Sequence, residues 1–373
     1  MAIVFPDYRN SILNLTGSVL QAYGLPAPHG SLPELDVVLR RSHRNRILLI
    51  LDGCGADFLK QALPPESFLR RHLVREITSV YPCTTTAAMT TYQSAKSPVE
   101  HGWLGWTAYF KEYGRIVDLF LDRDSLSGGS IKPSPAATLL KFDDFTRQIT
   151  RQHGDGVVCR RIMPPFAENG VHSMNQMIDK IREFCETGSH QLIIAYWYEP
   201  DMLMHGEGPY SAKVAAEIAA YDKMIEKLFE TLDQTLLVVT ADHGQVEIHE
   251  DVLINEIDRL HDCLIMPPSL EARAASLFIK QSRIADFKAA FNGLLGDRFL
   301  LMPRDEVFDR QLFGPGQPHR KVDDFIGDFL ACGTGQALLR YQSSFHRPLT
   351  TFKGHHAGLC PEEMLVPLII AEK

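Results

Sequence analysis

Five short motifs, far apart in a chain of 373 residues, carry the side chains that could do chemistry. The first is Leu51-Asp52-Gly53-Cys54-Gly55, and the second runs from Tyr81-Pro82 through Thr84-Thr85-Thr86 to Ser97-Pro98 and His101-Gly102. The third holds Asp201 and His205, the fourth is Asp242-His243-Gly244, and the fifth is Gly354-His355-His356. Asp-Gly alone is an ordinary turn. A single histidine is more often structural than a ligand. Asp201 and His205, four residues apart, share one face of a helix or tight turn and can converge on one cation. The three threonines precede Ala87-Ala88-Met89 and read as a helix amino terminus, where free N–H groups and the helix dipole suit a phosphate. They suit a plain helix cap equally well, and chemistry alone leaves the choice among the three open.

Taken together the motifs supply three carboxylates and three or four imidazoles. That set is enough for two zinc-like ions, each with several protein ligands and an open position. Two such ions about 3.5–4 Å apart clamp the attacking and leaving oxygens of an in-line phosphoryl displacement. A threonine hydroxyl is a poor nucleophile at neutral pH, and metal coordination is one way to activate it.

Those side chains need elements to hold them. Continuous apolar runs at 46–51, 191–198 and 235–241 end at Asp52, at Glu199 and Asp201, and at Asp242. Runs this short and this apolar suit strands buried on both faces of a parallel sheet. Helical stripes lie between them, at 173–186 behind Ser173 and at 211–232 behind Ser211. Alternating helix and strand predicts an α/β three-layer sandwich with a mostly parallel central sheet, whose ligands gather at the carboxyl ends of strands. From about Cys263 the texture changes to strand at 275–279, helix at 285–295 and strand at 298–302. We read 263–314 as a small α+β insertion, or cap, with 1–262 and 315–373 forming the catalytic core.

Composition narrows the classes. Hydrophobic residues make up 45% and charged residues 23%, ordinary for a folded protein. A formal net charge of −8 argues against nucleic acid as the main partner. No basic stretch followed by a long apolar run opens the chain, and no segment is long and apolar enough for a membrane span, so a cytoplasmic protein with no membrane partner is expected. The seven cysteines form no C-x-x-C pair, which indicates neither a zinc knuckle nor a disulfide framework.

The order of the motifs resembles the alkaline phosphatase superfamily, specifically its type I phosphodiesterase/nucleotide pyrophosphatase branch, over about residues 46–250 and 350–370. The resemblance implies an alkaline phosphatase-like core and two divalent ions, zinc by preference with manganese as the alternative. It places one ion on Asp201, His205 and His356 and the other on Asp52, Asp242 and His243. Thr85, selected by the Tyr81-Pro82 and Pro98…His101-Gly102 flanks, faces both as nucleophile. Gly354-x-His356 selects His356 over His355. The chain departs from the family in Thr86-Ala87-Ala88, where Phe-Pro-Asn is usual, and in His356-Ala357, where His-Gly is usual. No asparagine matches the family's phosphoryl-oxygen ligand, which leaves the Thr86 N–H as the oxyanion donor.

The implied activity is hydrolysis of a small phosphate ester, diester or pyrophosphate, through a phosphoryl-threonine that water then cleaves. The alternatives are a phosphomonoesterase or phosphonate hydrolase of the same superfamily, and a non-catalytic metal-binding relative. Trp103, Trp106, Tyr109 and Tyr198 are candidates to stack a substituent, and Lys111 and Lys353 to clamp a phosphate oxygen. The sulfatase signature C/S-x-P-x-R and the G-x-S-x-G elbow are both absent. The oligomeric state is not legible.

Overall fold

A computed structural model describes residues 2–343 and 349–373. Its centre is a six-stranded sheet in the order Leu73–Thr78, Leu365–Glu372, Thr235–Thr240, Asn45–Leu51, Gln191–Trp197 and Val158–Ile162. Only Leu365–Glu372 runs against the others. The strands Gln191–Trp197 and Thr235–Thr240 are buried along their whole length, as their unbroken apolar runs require. Side chains alternate between two helical layers. Ile12–Ala22 and Thr85–Ser94 pack together on one face, and Met174–Cys185 and Ala212–Thr231 on the other. Helix Ala212–Thr231 buries the stripe Val214, Ile218, Tyr221, Ile225 and Leu228, and the Ser211 hydroxyl accepts from the Val214 N–H to start it. Each such side chain contributes about 1.5–3 kcal/mol through burial. The three-layer α/β architecture is thus the one the sequence pattern predicts.

The altered texture after Cys263 forms a second, antiparallel sheet. Strands Ser269–Glu271, Ala274–Leu277, Phe329–Gly333 and Phe299–Pro303 lie in that order. Helix Ile284–Leu295 packs Phe287 and Phe291 into the same core. The strand–helix–strand expected here is present, but the sheet does not close at residue 314. Phe329–Gly333 pairs with both Ala274–Leu277 and Phe299–Pro303 and completes it from beyond that point.

Arg273 ties this cap sheet to the core. Its guanidinium is fully buried and donates to both Glu363 oxygens (2.6 and 2.7 Å) and to the carbonyls of Gly335 and Ala337 (2.7 and 2.8 Å). Glu363 lies in the short helix Pro361–Met364 that leads into the last core strand. The seven cysteines are all free thiols, and no helix among the described residues is long and apolar enough to cross a membrane.

Removing one partner of a buried ion pair strands the other without water. Glu363→Ala is expected to lower the unfolding free energy by about 3–5 kcal/mol. Denaturant titration reads this directly, and an unchanged midpoint would show that the Arg273 link carries no stability.

Candidate metal centre

Strand register brings the acidic motifs together. Asn45 pairs with Thr235 and Ile50 with Thr240, and the same offset sets Asp52 level with Asp242 just past the strand ends. On the other side Leu51 pairs with Trp197, so the chain turning at Glu199-Pro200 delivers Asp201, whose N–H donates to the Asp52 carbonyl (3.1 Å). Gly53 takes φ 72° there, and a Cβ on it would stand 2.9 Å from the Asp201 Cα. The close approach of Asp52 and Asp201 therefore needs glycine. Asp201 opens helix Asp201–Glu207, which puts His205 one turn later on the same face.

The late histidine arrives by a different device. A two-stranded antiparallel clip pairs Val246–Glu247 with Gly354–His355, so His356 leaves the clip beside Asp242 and His243. The His243 and His356 rings stack with centroids 3.8 Å apart.

Two ligand groups result. Asp201, His205 and His356 each offer an atom within 4.8 Å of the others, and so do Asp52, Asp242 and His243. His205 Nε2 lies 3.3 Å from Asp201 Oδ2, and His356 Nε2 3.9 Å from Asp201 Oδ1. His243 Nε2 lies 3.5 Å from Asp52 Oδ1 and 3.4 Å from Asp242 Oδ2. Those last two carboxylate oxygens are buried without a hydrogen-bond partner. In all three histidines Nδ1 meets a backbone carbonyl: Gly354 for His205 (2.8 Å), Gly244 for His243 (3.1 Å) and Cys83 for His356 (3.2 Å). An Nδ1–H donated in this way fixes the tautomer and leaves the Nε2 lone pair for a cation. Orphaned oxygens and oriented Nε2 atoms fit two divalent ions of the zinc type.

The electrostatics agree with that fit. Burial, then repulsion by Asp242 and Asp201, pushes the Asp52 carboxyl well above the usual carboxylate range. Burial pushes Asp242 up as well. Asp201 goes the other way: burial opposes ionisation, but the facing His205 and then His356 hold it below its ordinary value. Burial and the neighbouring His243 keep His356 well below the ordinary histidine range, in the neutral form a metal ligand needs.

Among the three threonines, the helix Thr85–Ser94 separates the roles. Thr84 is the N-cap by backbone position, yet its side chain makes no capping bond and its hydroxyl donates to Glu271 (2.7 Å). Thr86 is fully buried. Thr85 opens to the site, with Oγ1 3.3 Å from His243 Nε2. The threonine hydroxyls therefore do not cap this helix, and its first N–H groups, Thr86 included, lie beside Thr85.

A cavity of about 970 Å³ opens in front, reached by Thr85, Asp52, Asp201, His205 and His356. Of the four aromatic candidates, Trp106 and Tyr198 line it. Trp103 instead donates to the Leu140 carbonyl (3.0 Å), and Tyr109 packs on Phe278. Neither lysine reaches the cavity: Lys111 pairs with Asp324 at 2.6 Å and Lys353 faces Glu207 at 3.8 Å. His355 is buried against His205 but belongs to neither ligand group.

Three site residues carry no signal in the sequence. Tyr196 donates its hydroxyl to Asp52 Oδ2, and Gln245 donates to Asp201 Oδ1. Glu271 reaches in from the cap, accepting from the Thr84 hydroxyl and from the Trp106 N–H (2.6 Å). Burial pushes its carboxyl up to about 7 against the pull of those two bonds.

Residues 46–290 match the type I phosphodiesterase / nucleotide pyrophosphatase family. The chain belongs to that family. The family's description is one of phosphodiesterases and nucleotide pyrophosphatases. Among solved structures, it is similar to murine ectonucleotide pyrophosphatase/phosphodiesterase 5 in an inactive threonine-to-alanine form with AMP, at TM-score 0.64 and 18% identity over 87% of each chain. It is also similar to phosphonoacetate hydrolase from Sinorhizobium meliloti with phosphonoformate, at TM-score 0.60 and 16% identity, covering 88% of this chain and 90% of that one. At such identities the likeness is one of fold. A segment of 81 residues, 21% of this chain, is 31% identical to the catalytic subunit of mouse GPI ethanolamine phosphate transferase 3, but spans only 7% of that protein's length. The family's usual glycine after the late histidine is here Ala357, at φ 90°, a left-handed conformation that glycine takes without strain.

The metal-free site retains protons on raised carboxyls, and a bound cation must displace them. Zinc uptake is therefore expected to release protons and to tighten as pH rises above the usual carboxylate range. Calorimetry in buffers of different ionisation enthalpy measures both. Asp242→Asn should weaken uptake by at least about tenfold; uptake indifferent to pH and to this substitution would dissociate the two ligand groups from metal binding.

Proposed function

We propose that this chain hydrolyses phosphate diesters or pyrophosphates with Thr85 as nucleophile and two divalent ions, zinc by preference. The observation that carries the reading is the position of Thr85, the one threonine of three that is not buried, with its hydroxyl at the His243 ring of one oxygen-and-imidazole group. Asp201, His205 and His356 would hold one ion and Asp52, Asp242 and His243 the other. When bound, such ions favour the alkoxide form of a nearby hydroxyl and neutralise charge building on phosphoryl oxygens.

The chain's own groups supply the rest. Thr85 Oγ attacks phosphorus in line, a new P–O bond forms, and the bond to the leaving oxygen breaks. Water then cleaves the phosphoryl-threonine and restores the hydroxyl. Thr86 N–H, in the first turn of the helix, is placed to donate to a phosphoryl oxygen while the helix dipole favours the same charge. Tyr196 and Gln245 orient Asp52 and Asp201. Trp106, Phe120, Phe166, Tyr198 and Met202 form apolar walls that receive a second substituent and keep water away from it.

Charge favours diesters over monoesters. A monoester brings an extra negative charge that a Lys or Arg must meet. Among the described residues Arg340 is the only lysine or arginine lining the cavity, and its guanidinium is held by both oxygens of Asp251. The phosphomonoesterase alternative therefore ranks second.

Thr85→Ala should leave zinc binding in place and lower kcat/KM by about three orders of magnitude or more, equivalent to about 4 kcal/mol of transition-state stabilisation. Bis(p-nitrophenyl) phosphate should be cleaved at least about tenfold more efficiently than p-nitrophenyl phosphate, a gap of about 1.4 kcal/mol. Full activity in the alanine variant would remove Thr85 from the mechanism, and a monoester preference would overturn the diesterase reading.

A further inference from the structure

The cap sheet reaches the helix of Thr85 through one side chain. Glu271 ends strand Ser269–Glu271, and its Oε1 accepts from the Thr84 hydroxyl (2.7 Å) and from the Trp106 N–H (2.6 Å). The backbone that delivers it is tightly held. Leu270 sits at φ 77°, a left-handed conformation that a leucine keeps only where its surroundings impose it. A Cβ on Gly105 would stand 2.9 Å from the Leu270 Cα, and the Thr107 hydroxyl donates to the Leu270 carbonyl (3.1 Å). Glu271 is thus fixed by its own strand and by the segment that carries Trp106.

Thr84 stands at the N-cap of helix Thr85–Ser94 with extended backbone, at φ −139° and ψ 149°. From that position a threonine hydroxyl ordinarily accepts from the second or third N–H of the helix, here those of Thr86 and Ala87. It makes no such bond. The Ala88 N–H is used by the Thr84 carbonyl (2.9 Å), whereas the N–H groups of Thr86 and Ala87 donate to no protein acceptor among the described residues. The Thr84 hydroxyl has one proton, and giving it to Glu271 sets the rotamer that turns the oxygen from the helix. Without that acceptor, the free N–H groups are the nearest partners a residue at the N-cap can find.

An N–H already given to a capping hydroxyl is not available at full strength to an oxyanion. We infer that Glu271 is a positioning residue, which holds the Thr84 hydroxyl toward the cap and so keeps the Thr86 and Ala87 N–H groups open for a phosphoryl oxygen. This role rests on the reading of the Thr85 helix as the place where the phosphoryl group lies, and adds what keeps that place vacant. The same carboxyl fastens Trp106, a wall of the cavity, so wall and helix are held by one group.

Two measurements on the zinc-loaded full chain test this: hydrolysis of bis(p-nitrophenyl) phosphate, and calorimetric binding of inorganic phosphate in a Thr85→Ala background. Glu271→Ala should lower kcat/KM by about tenfold or more and weaken phosphate binding in parallel. Adding Thr84→Ala removes the hydroxyl that would otherwise cap the helix, and should bring both quantities back to within about threefold of the chain with Glu271 and Thr84 intact. Glu271→Gln keeps an accepting oxygen and should match the parent chain. A merely structural role predicts the opposite for the double variant, which would be as impaired as Glu271→Ala or worse. Thermal melting checks the fold, and Glu271→Met, which fills the buried space without an acceptor, replaces the alanine variant should that one unfold. No loss in the variant lacking the acceptor, no recovery on adding Thr84→Ala, or a glutamine variant as impaired as the alanine one overturns the inference. Retained hydrolysis in Thr85→Ala would instead remove the nucleophile, and phosphate binding in that background still reports on Glu271.

Discussion

Asp52, Asp201 and Asp242 are three carboxylates crowded into one buried space, and they cannot all ionise there without cations. Two unit charges 4 Å apart repel by about 4 kcal/mol even at an effective dielectric constant of 20. The surrounding architecture makes sense as the means of creating and then relieving that repulsion. Parallel register sets Asp52 beside Asp242, and a glycine at Gly53 admits Asp201. Three backbone carbonyls turn three imidazoles so that Nε2 faces inward. The oxygens left unpartnered, Asp52 Oδ1 and Asp242 Oδ2, are those with no protein group available to answer them.

Much of this was legible in the sequence because buried parallel strands are written as unbroken apolar runs, and the residue after each run falls at the functional end of the sheet. Asp52 and Asp242 could be picked out on that ground alone, whereas the second run ends at Glu199-Pro200-Asp201 and Asp201 stood out by its spacing from His205. The helices behind Ser173 and Ser211 were equally clear, since their stripes and capping serines are local features. The choice of Thr85 among three threonines was not local; it needed the family's spacing. In the structure Thr84 and Thr86 are occupied elsewhere, by Glu271 and by the core.

What the sequence left out depends on long-range contact. Tyr196 is one more apolar residue in a buried strand until its hydroxyl is seen to reach Asp52. Glu271 lies 187 positions from Thr84, and no periodicity links them. Lys111 and Lys353 looked close to the site by chain position, yet both point to surface carboxylates. The cap sheet was misjudged in extent for the same reason, since a strand that completes a sheet from beyond a loop leaves no mark at the loop.

The clip between Val246–Glu247 and Gly354–His355 has a consequence for how such a protein can diversify. It fastens the point where the chain leaves the core to the point where it returns. His243 and His356 keep their separation whatever the intervening hundred or so residues do. The polypeptide between them can lengthen, shrink or be rebuilt with a new cavity wall, and the ligand geometry does not change. New substrates then require only new walls.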